Sequence, residues 1–325
     1  MRHAIPWLLA VLCPATLARA QDHAPAGSIA VVVPAPPAVV RIASGAFVMG
    51  AGPADVDLAR TLCRHDVEAF AALRRTTVTD PAVALGYTLQ MQLCAPELVV
   101  GLVCGGAAFA AETTVHEVWL PAFGMDRTEV TVAAYDACVT AGVCAPPLDA
   151  PGTPHTGAAN LPVTGVRWND AATYCAWTHG RLPTEAEWER AARGRDARPF
   201  PWGWIADGAR CNHGAIGPTC RDDGDDGFAL AAPVGSFPAG ASPEGVLDLA
   251  GNVLEWVADR ASADGVGYAP DRVAAPRGPA VGAERRVRGG AWDLPLLLAR
   301  STARLHRPAS ERARDLGFRC AHDLR

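Results

Sequence analysis

The sequence predicts an α+β domain in which loops outweigh regular elements, and three observations lead there. The stretch Gly180-Arg-Leu-Pro-Thr-Glu-Ala-Glu-Trp-Glu-Arg-Ala-Ala-Arg-Gly194 encodes a short helix from cap to stop. Apolar runs at Arg41–Met49 and His116–Leu120 read as strands. Beyond residue 195 the chain is rich in Gly, Pro and Asp with few helical periods, which predicts irregular structure.

The helix of that stretch is the best specified element. Thr184 can cap it and Glu187, three residues on, can reach back, which makes a capping box. Gly194 tolerates the positive φ that ends the helix, and Leu182 and Pro183 are placed to pack on Trp188 one turn in. A preceding unit, Asn169 to Gly180, takes Asn169 as cap, sets Tyr174 and Cys175 on one face and uses Gly180 as stop. A further helix is expected over Thr131–Val139, ending near Gly142.

Residues 1–20 read as a secretory signal: Arg2 and His3, an apolar run from Ala4 to Cys13, then Ala18-Arg-Ala20 as a small-residue cleavage site. The run is too short to span a bilayer, and Leu12 before Cys13 is too large for a lipidation site. The expectation is a secreted or periplasmic protein, with no membrane insertion once the signal is removed. Residues 21–40 form a Pro/Ala-rich linker, and 41–325 the domain. Inside the domain Val56, Ala59, Cys63, Val67, Phe70 and Leu73 recur at helical spacing, which predicts a mostly helical insertion at about 54–112. Loss of Arg2 and Arg19 takes the formal charge from −5 to −7, with both signs mixed along the chain, so nucleic-acid binding is not indicated. All 29 basic residues are arginine, which excludes an amine nucleophile or Schiff base. The nine histidines show no zinc or iron spacing, and no CxxC occurs.

Taken whole, Pro162-Val-Thr-Gly-Val-Arg-Trp-Asn-Asp170 through Arg181-Leu-Pro-Thr-Glu-Ala-Glu-Trp-Glu189 resembles the signature of the formylglycine-generating enzymes, or sulfatase-modifying factors. Further matches follow in family order: Gly45-Ala-Phe-Val-Met-Gly50, Glu129-Val-Thr131, Phe200-Pro-Trp-Gly203, Asp248-Leu-Ala-Gly-Asn-Val-Leu-Glu-Trp256, Arg288-Gly-Gly-Ala-Trp292 and Gly317-Phe-Arg-Cys320. The resemblance covers roughly residues 41–53 and 115–322. It implies the C-type-lectin-like formylglycine-generating-enzyme fold, loop-rich with little regular secondary structure. The 54–112 connection is longer than in the resembled family.

An exported chain uses cysteine for bridges. Cys138 and Cys144 flank a helix end and can close a short loop, and Cys211 and Cys220 can close another. Cys175 and Cys320 match positions that are bridged in the resembled family. Cys63, Cys94 and Cys104 remain in the insertion, an odd set that predicts one internal pair and one cysteine over. The resemblance also implies two structural calcium sites. One uses Asp248, Glu255 and the carbonyls of Gly251 and Val253; the other uses Asn212, Asp226 and the carbonyls of His213 and Phe228.

Formylglycine-generating members bind Cu(I) through two cysteines just after the Gly-Gly pair, because soft thiolates select that ion. Here Leu294 and Ala299 occupy the two positions and Ala291 stands where the family has an active-site serine. Copper is therefore not expected, and the reading is a binding or scaffold module for a peptide, a protein or an anionic small molecule. Its groove would be lined by Trp202, Trp204, Trp256, Trp292, Asp293, Arg300 and Arg304. The same tryptophans also read as core, Trp256 and Trp202 above all. The alternatives are an oxygen-dependent oxidoreductase with another cofactor, using a general base such as Asp293 or Glu311, and a role carried by the insertion itself.

Overall fold

The computed structural model describes residues 38–77, 109, 112–148, 159–214, 226–261 and 273–324. In chain order the elements are strands β1 (Val39–Ile42) and β2 (Gly45–Met49), helix α1 (Pro53–Thr77), and strands β3 (His116–Leu120) and β4 (Phe123–Asp126). Helices α2 (Val132–Thr140), α3 (Trp168–Trp177) and α4 (Glu185–Arg193) follow. Strands β5 (Leu254–Arg260), β6 (Val273–Ala274), β7 (Glu284–Arg288), β8 (Leu305–Pro308), β9 (Leu316–Gly317) and β10 (Ala321–Asp323) complete the set. Apart from α1, helices and strands are thus both present but short, as an α+β domain with long loops requires.

The expected strand Arg41–Met49 is two strands in two sheets. β1 pairs antiparallel with β4, whose other edge takes β10, so the first and last strands of the domain share one partner. β2 pairs antiparallel with β3, which in turn pairs parallel with β6. The third sheet runs β8-β7-β5-β9, with β5 and β9 parallel. β1 begins at Val39, two residues inside the stretch read as linker. The signal segment and the rest of that linker lie outside the described residues.

α2 and α4 start where the sequence places them. Thr131 accepts from Ala134 N–H at the N-terminus of α2. The Thr184–Glu187 capping box forms in both directions, and Gly194 ends α4 at φ 66°. α3 departs from expectation: Arg167 is its N-cap, with its N–H donated to Asp170, and Asn169 lies inside the helix. The positive φ at its end belongs to His179, at 62°. Gly180 is glycine for a different reason, since a Cβ there would lie 2.8 Å from the Ala321 carbonyl oxygen. Nor does Leu182 staple Trp188, because the two pack in different hydrophobic clusters. In α1, Ala59 and Cys63 are buried and pack with Phe109 and Leu297, so the predicted apolar face docks on the main domain. The remainder of the insertion, and the side chains of Val67, Phe70 and Leu73, lie outside the described residues.

Two of the expected bridges form. Cys175–Cys320 ties α3 to the end of the chain across 145 residues, and Cys138–Cys144 closes the loop after α2. On the chain-entropy argument the long loop is worth about 5 kcal/mol. The Cys211–Cys220 pairing is corrected: Cys211 is a buried thiol packed against Ala250 and Ala299, and Cys220 lies outside the described residues. Cys63 is bridged, to a partner outside the described residues.

α4 is buried at every one of its nine positions, charged side chains included. Glu189 accepts from Gly50 N–H at 2.8 Å and from Arg288 at 2.8 Å, with Arg193 and Arg304 close by. Glu185 faces Arg286, Arg288 and Arg304. Arg193 reaches Asp55 of α1 at 2.9 Å and the carbonyls of Gly50 and Ala197. Burial pulls Arg288 below its ordinary value against the opposing pull of Glu189 and Glu185. Such charges are stable only as a set, because removing one leaves its partners desolvated and uncompensated. Glu189→Gln should therefore lower unfolding free energy by about 3 kcal/mol or more, measured as a lower urea midpoint with an unchanged m value.

Candidate functional site

The segment after the Gly289-Gly290 pair is folded back on itself by backbone geometry. Both glycines have positive φ, 99° and 74°, and a Cβ on Gly290 would lie 3.0 Å from the backbone of Ala299. The chain then turns through Leu294 N–H to Ala291 O (3.0 Å) and a short 3-10 helix, Leu296–Ala299. Ala291 and Ala299 are each 1% exposed, and Leu294 is half-buried against the largest core cluster. All three side chains are apolar, so none offers a soft donor. Cys211 packs against Ala299, which sequence reasoning missed because it had assigned that cysteine to a bridge. Burial pushes this thiol far above its ordinary range and keeps it protonated.

The groove drawn from the sequence does not form as one surface. Trp256 is fully buried and donates to Val166 O, so it belongs to the core. Arg300 is fully buried and bidentate to Glu112, at 2.9 and 3.0 Å. Arg304 is spent on Glu185 and Glu189. These three are corrected from ligand contacts to structural groups, because their partners are already internal. Trp202 stacks on Phe200 at 4.9 Å, and Trp204 is 59% exposed at the tip of the same loop. Glu311 pairs with Arg307 at 3.2 Å.

What the structure brings together instead is Trp292, Asp293, Arg314 and Asp315. The Arg314 guanidinium lies 4.9 Å from the Trp292 ring centre and 3.6 Å from the Asp293 carboxylate. Trp292 is buried, while the Asp293 side chain is 14% exposed with one oxygen lacking a partner. Burial, then the neighbouring Asp315 carboxylate, pushes Asp293 up to about 7 against the opposing pull of Arg314. A carboxyl that titrates near neutrality, beside a guanidinium and an aromatic face, can accept or donate a proton. Arg314 and Asp315 were missed by sequence reasoning. Their only signal was the dense alternation of charge in Glu311-Arg-Ala-Arg-Asp315 before the Gly317-Phe-Arg-Cys320 motif.

The residues of the two expected calcium sets adjoin one another. Gly251 is pressed so closely on Asn212 that a Cβ would lie 2.0 Å from the Asn212 carbonyl oxygen, and Asn252 N–H donates to that oxygen at 2.7 Å. In one set, His213 and Phe228 N–H each donate to Asp226 at 2.9 Å, and the buried Asn212 side-chain oxygen has no partner. An unused amide oxygen with a neighbouring carboxylate and carbonyls fits a hard cation. The other set fits less well as drawn. Both Glu255 oxygens are bound by Arg319, at 2.7 and 2.8 Å, and one also accepts from Trp188 at 2.9 Å. Asp248 instead faces Glu129, whose second oxygen is buried without a donor. Burial and the Asp248 charge drive Glu129 well above its ordinary range. Two facing carboxyls need a shared proton or a cation, and Glu129 is the acid that the sequence reading left out.

Fold and segment order together define a domain of the C-type-lectin-like, formylglycine-generating-enzyme class. The profile of the sulfatase-modifying factor enzyme 1-like domain matches residues 90–324, and the chain belongs to that family. It is 35% identical to a formylglycine-generating enzyme of Streptomyces coelicolor, over 72% of this chain and 89% of the relative. A formylglycine-generating enzyme of Thermomonospora curvata is 39% identical over 54% of this chain and 60% of its own length. The mouse protein named inactive C-alpha-formylglycine-generating enzyme 2 is 38% identical over 50% of this chain and 49% of its own. Among solved structures, PvdO from Pseudomonas aeruginosa aligns at a TM-score of 0.58 and 25% identity, over 89% of this chain and 95% of that one.

Asp293 supplies a pH signature with a definite sign. Its folded value near 7 lies above the unfolded value of about 4, so the folded state holds the extra proton between them. The stability that Asp293 contributes is then full below pH 4 and is lost as pH rises through 7. Asp293→Asn should flatten this decline, read from unfolding midpoints across pH 4–8. Asp315, raised in the same direction, keeps part of it.

Proposed function

We propose that this is an exported, calcium-stabilised domain of the sulfatase-modifying-factor fold that does not carry out copper-dependent formylglycine formation and acts as a binding module. The observation that carries the reading is the apolar filling of the three positions that the family resemblance assigns to metal and serine: Leu294, Ala299 and Ala291. Cu(I) needs thiolates, and the one thiol packed beside Ala299 is held protonated by burial. A relative named as inactive is compatible with this reading, while relatives named as active share the scaffold.

In this reading the partner is recognised through Arg314 and Asp293, which lie over the buried Trp292, with the exposed Trp204 as a separate aromatic contact. The partner is a peptide, a protein or an anionic small molecule. One observation favours a second reading, an oxidoreductase with another cofactor: Asp293 is poised near neutrality and can take a proton from a bound substrate. One assay tests the loss of the copper reaction that both readings share. Purified protein, Cu(I), oxygen and a Cys-x-Pro-x-Arg peptide should yield no aldehyde by mass spectrometry above a no-protein control. Turnover would overturn the proposal.

Calcium supports the loop framework in the same reading, held by Asn212, Asp226 and the carbonyls of His213 and Phe228. The ion would supply charge neutralisation and a cross-link between loops, with no part in bond making. Added calcium should raise the melting temperature and chelator should reverse it. At a hundredfold excess over Kd the gain is about 2.7 kcal/mol. Asp226→Asn should abolish most of that shift, and a melting temperature indifferent to both reagents would remove the ion from the reading.

A further inference from the structure

A second concave site lies at the end of α4, and it shares no residue with the Trp292–Asp293 cluster. The cleft has a volume of about 460 Å³ and is lined by four arginines, Arg41, Arg190, Arg195 and Arg198, against two acids, Asp196 and Glu244. Each acid already has a guanidinium partner, with the second Glu244 oxygen buried and unbonded. Glu244 pairs with Arg190, whose side chain is 3% exposed, and Asp196 is bidentate to Arg198 at 2.6 and 2.9 Å. Hydrogen bonding to Arg198 holds Asp196 below its ordinary range, which is the behaviour of a fully engaged carboxylate.

That leaves two guanidiniums without a carboxylate. Arg195 donates only to the Ser44 carbonyl, at 2.7 Å, and Arg41 is exposed with no hydrogen-bond or ion-pair partner among the described residues. Arg195 is nevertheless held in place. A Cβ on Gly45 would lie 2.8 Å from its terminal nitrogen, so the guanidinium rests against backbone that only a residue without a side chain exposes. Gly45 also has φ 151°, where other residues are strained. Like charges gathered in one concavity repel unless something neutralises them, and a surplus of two guanidiniums matches a doubly charged tetrahedral oxyanion by charge and by fork geometry.

We infer that this cleft binds the dianionic head of a phosphate monoester. Arg195 and Arg41 make the charged contacts, and the Arg190–Glu244 and Arg198–Asp196 pairs hold the walls. The volume leaves room for the group that carries the phosphate, beside Ala43 and Pro243. The site depends neither on calcium nor on the emptied copper position, so its success or failure leaves the proposed function untouched.

The test is calorimetric titration of the full protein with phenyl phosphate and with inorganic phosphate, at ionic strength matched by chloride. Saturable binding is expected for both, tighter at pH 8 than at pH 5.5, because a phosphate monoester gains its second charge near pH 6. Sulfate at the same concentrations tells a general tetrahedral-dianion site, if it binds equally, from one for phosphate esters. The double variant Arg41→Gln/Arg195→Gln should weaken binding at least tenfold. If it does not fold, Arg41→Gln alone, at an exposed and unpartnered position, should weaken binding at least threefold. Heats no larger than those of the chloride control, or variants that bind as the parent does, would overturn the inference.

Discussion

The structure rests on the mutual neutralisation of charges that its central helix carries into the interior. α4 carries Glu185, Glu187, Glu189, Arg190 and Arg193 into the interior, and each finds a counter-charge outside the helix. Apolar burial could hold these loops together without fixing their positions, because hydrophobic contact has no direction. Paired guanidinium and carboxylate groups do have direction. They set where β7, the start of α1 and the segment around Arg304 must lie, at the cost of making each member indispensable to the others. A domain with short strands and long loops needs such directional ties more than one with extended sheets does.

The same logic separates framework from site. Arg300, Arg304 and Trp256 looked like ligand contacts because arginine and tryptophan are the residues of binding surfaces, yet all three face inward onto partners of the chain's own. Among the described residues, those left with unspent capacity include Asp293 with its orphan oxygen, Asn212 with its unpartnered amide oxygen, the Arg41 and Arg195 guanidiniums, and the Glu129–Asp248 pair. Chemistry in this fold can be sought where charge is not fully matched.

Much of the architecture was legible in the sequence, because it rests on local rules and ordered motifs. The Thr184–Glu187 box and the Cys175–Cys320 bridge form as read, the bridge having been implied by the family resemblance, and the helix expected over Thr131–Val139 forms over Val132–Thr140 with Thr131 as its cap. The failures share a cause. Asn169 as cap, Gly180 as stop and the Cys211 pairing were each inferred from residue type and neighbours. Each was decided by distant groups or by local backbone geometry: Ala321 against Gly180, Ala299 against Cys211, Arg167 in place of Asn169. Arg314 and Asp315 escaped for the same reason, since their meeting with Trp292 and Asp293 is a tertiary event with no local signature.

The bidentate contact between Arg300 and Glu112 changes how the long excursion after β2 should be regarded. Glu112 sits at the point where that excursion rejoins the common framework, and among the described residues its carboxylate is the acid paired with the Arg300 guanidinium, sealed inside the segment that follows the twin glycines. The excursion is therefore not a detachable ornament. Cutting it away with residue 112 included would strand a positive charge beneath the very segment whose chemistry distinguishes this chain. A shortened form that hopes to keep the site intact must stop its excision before that carboxylate.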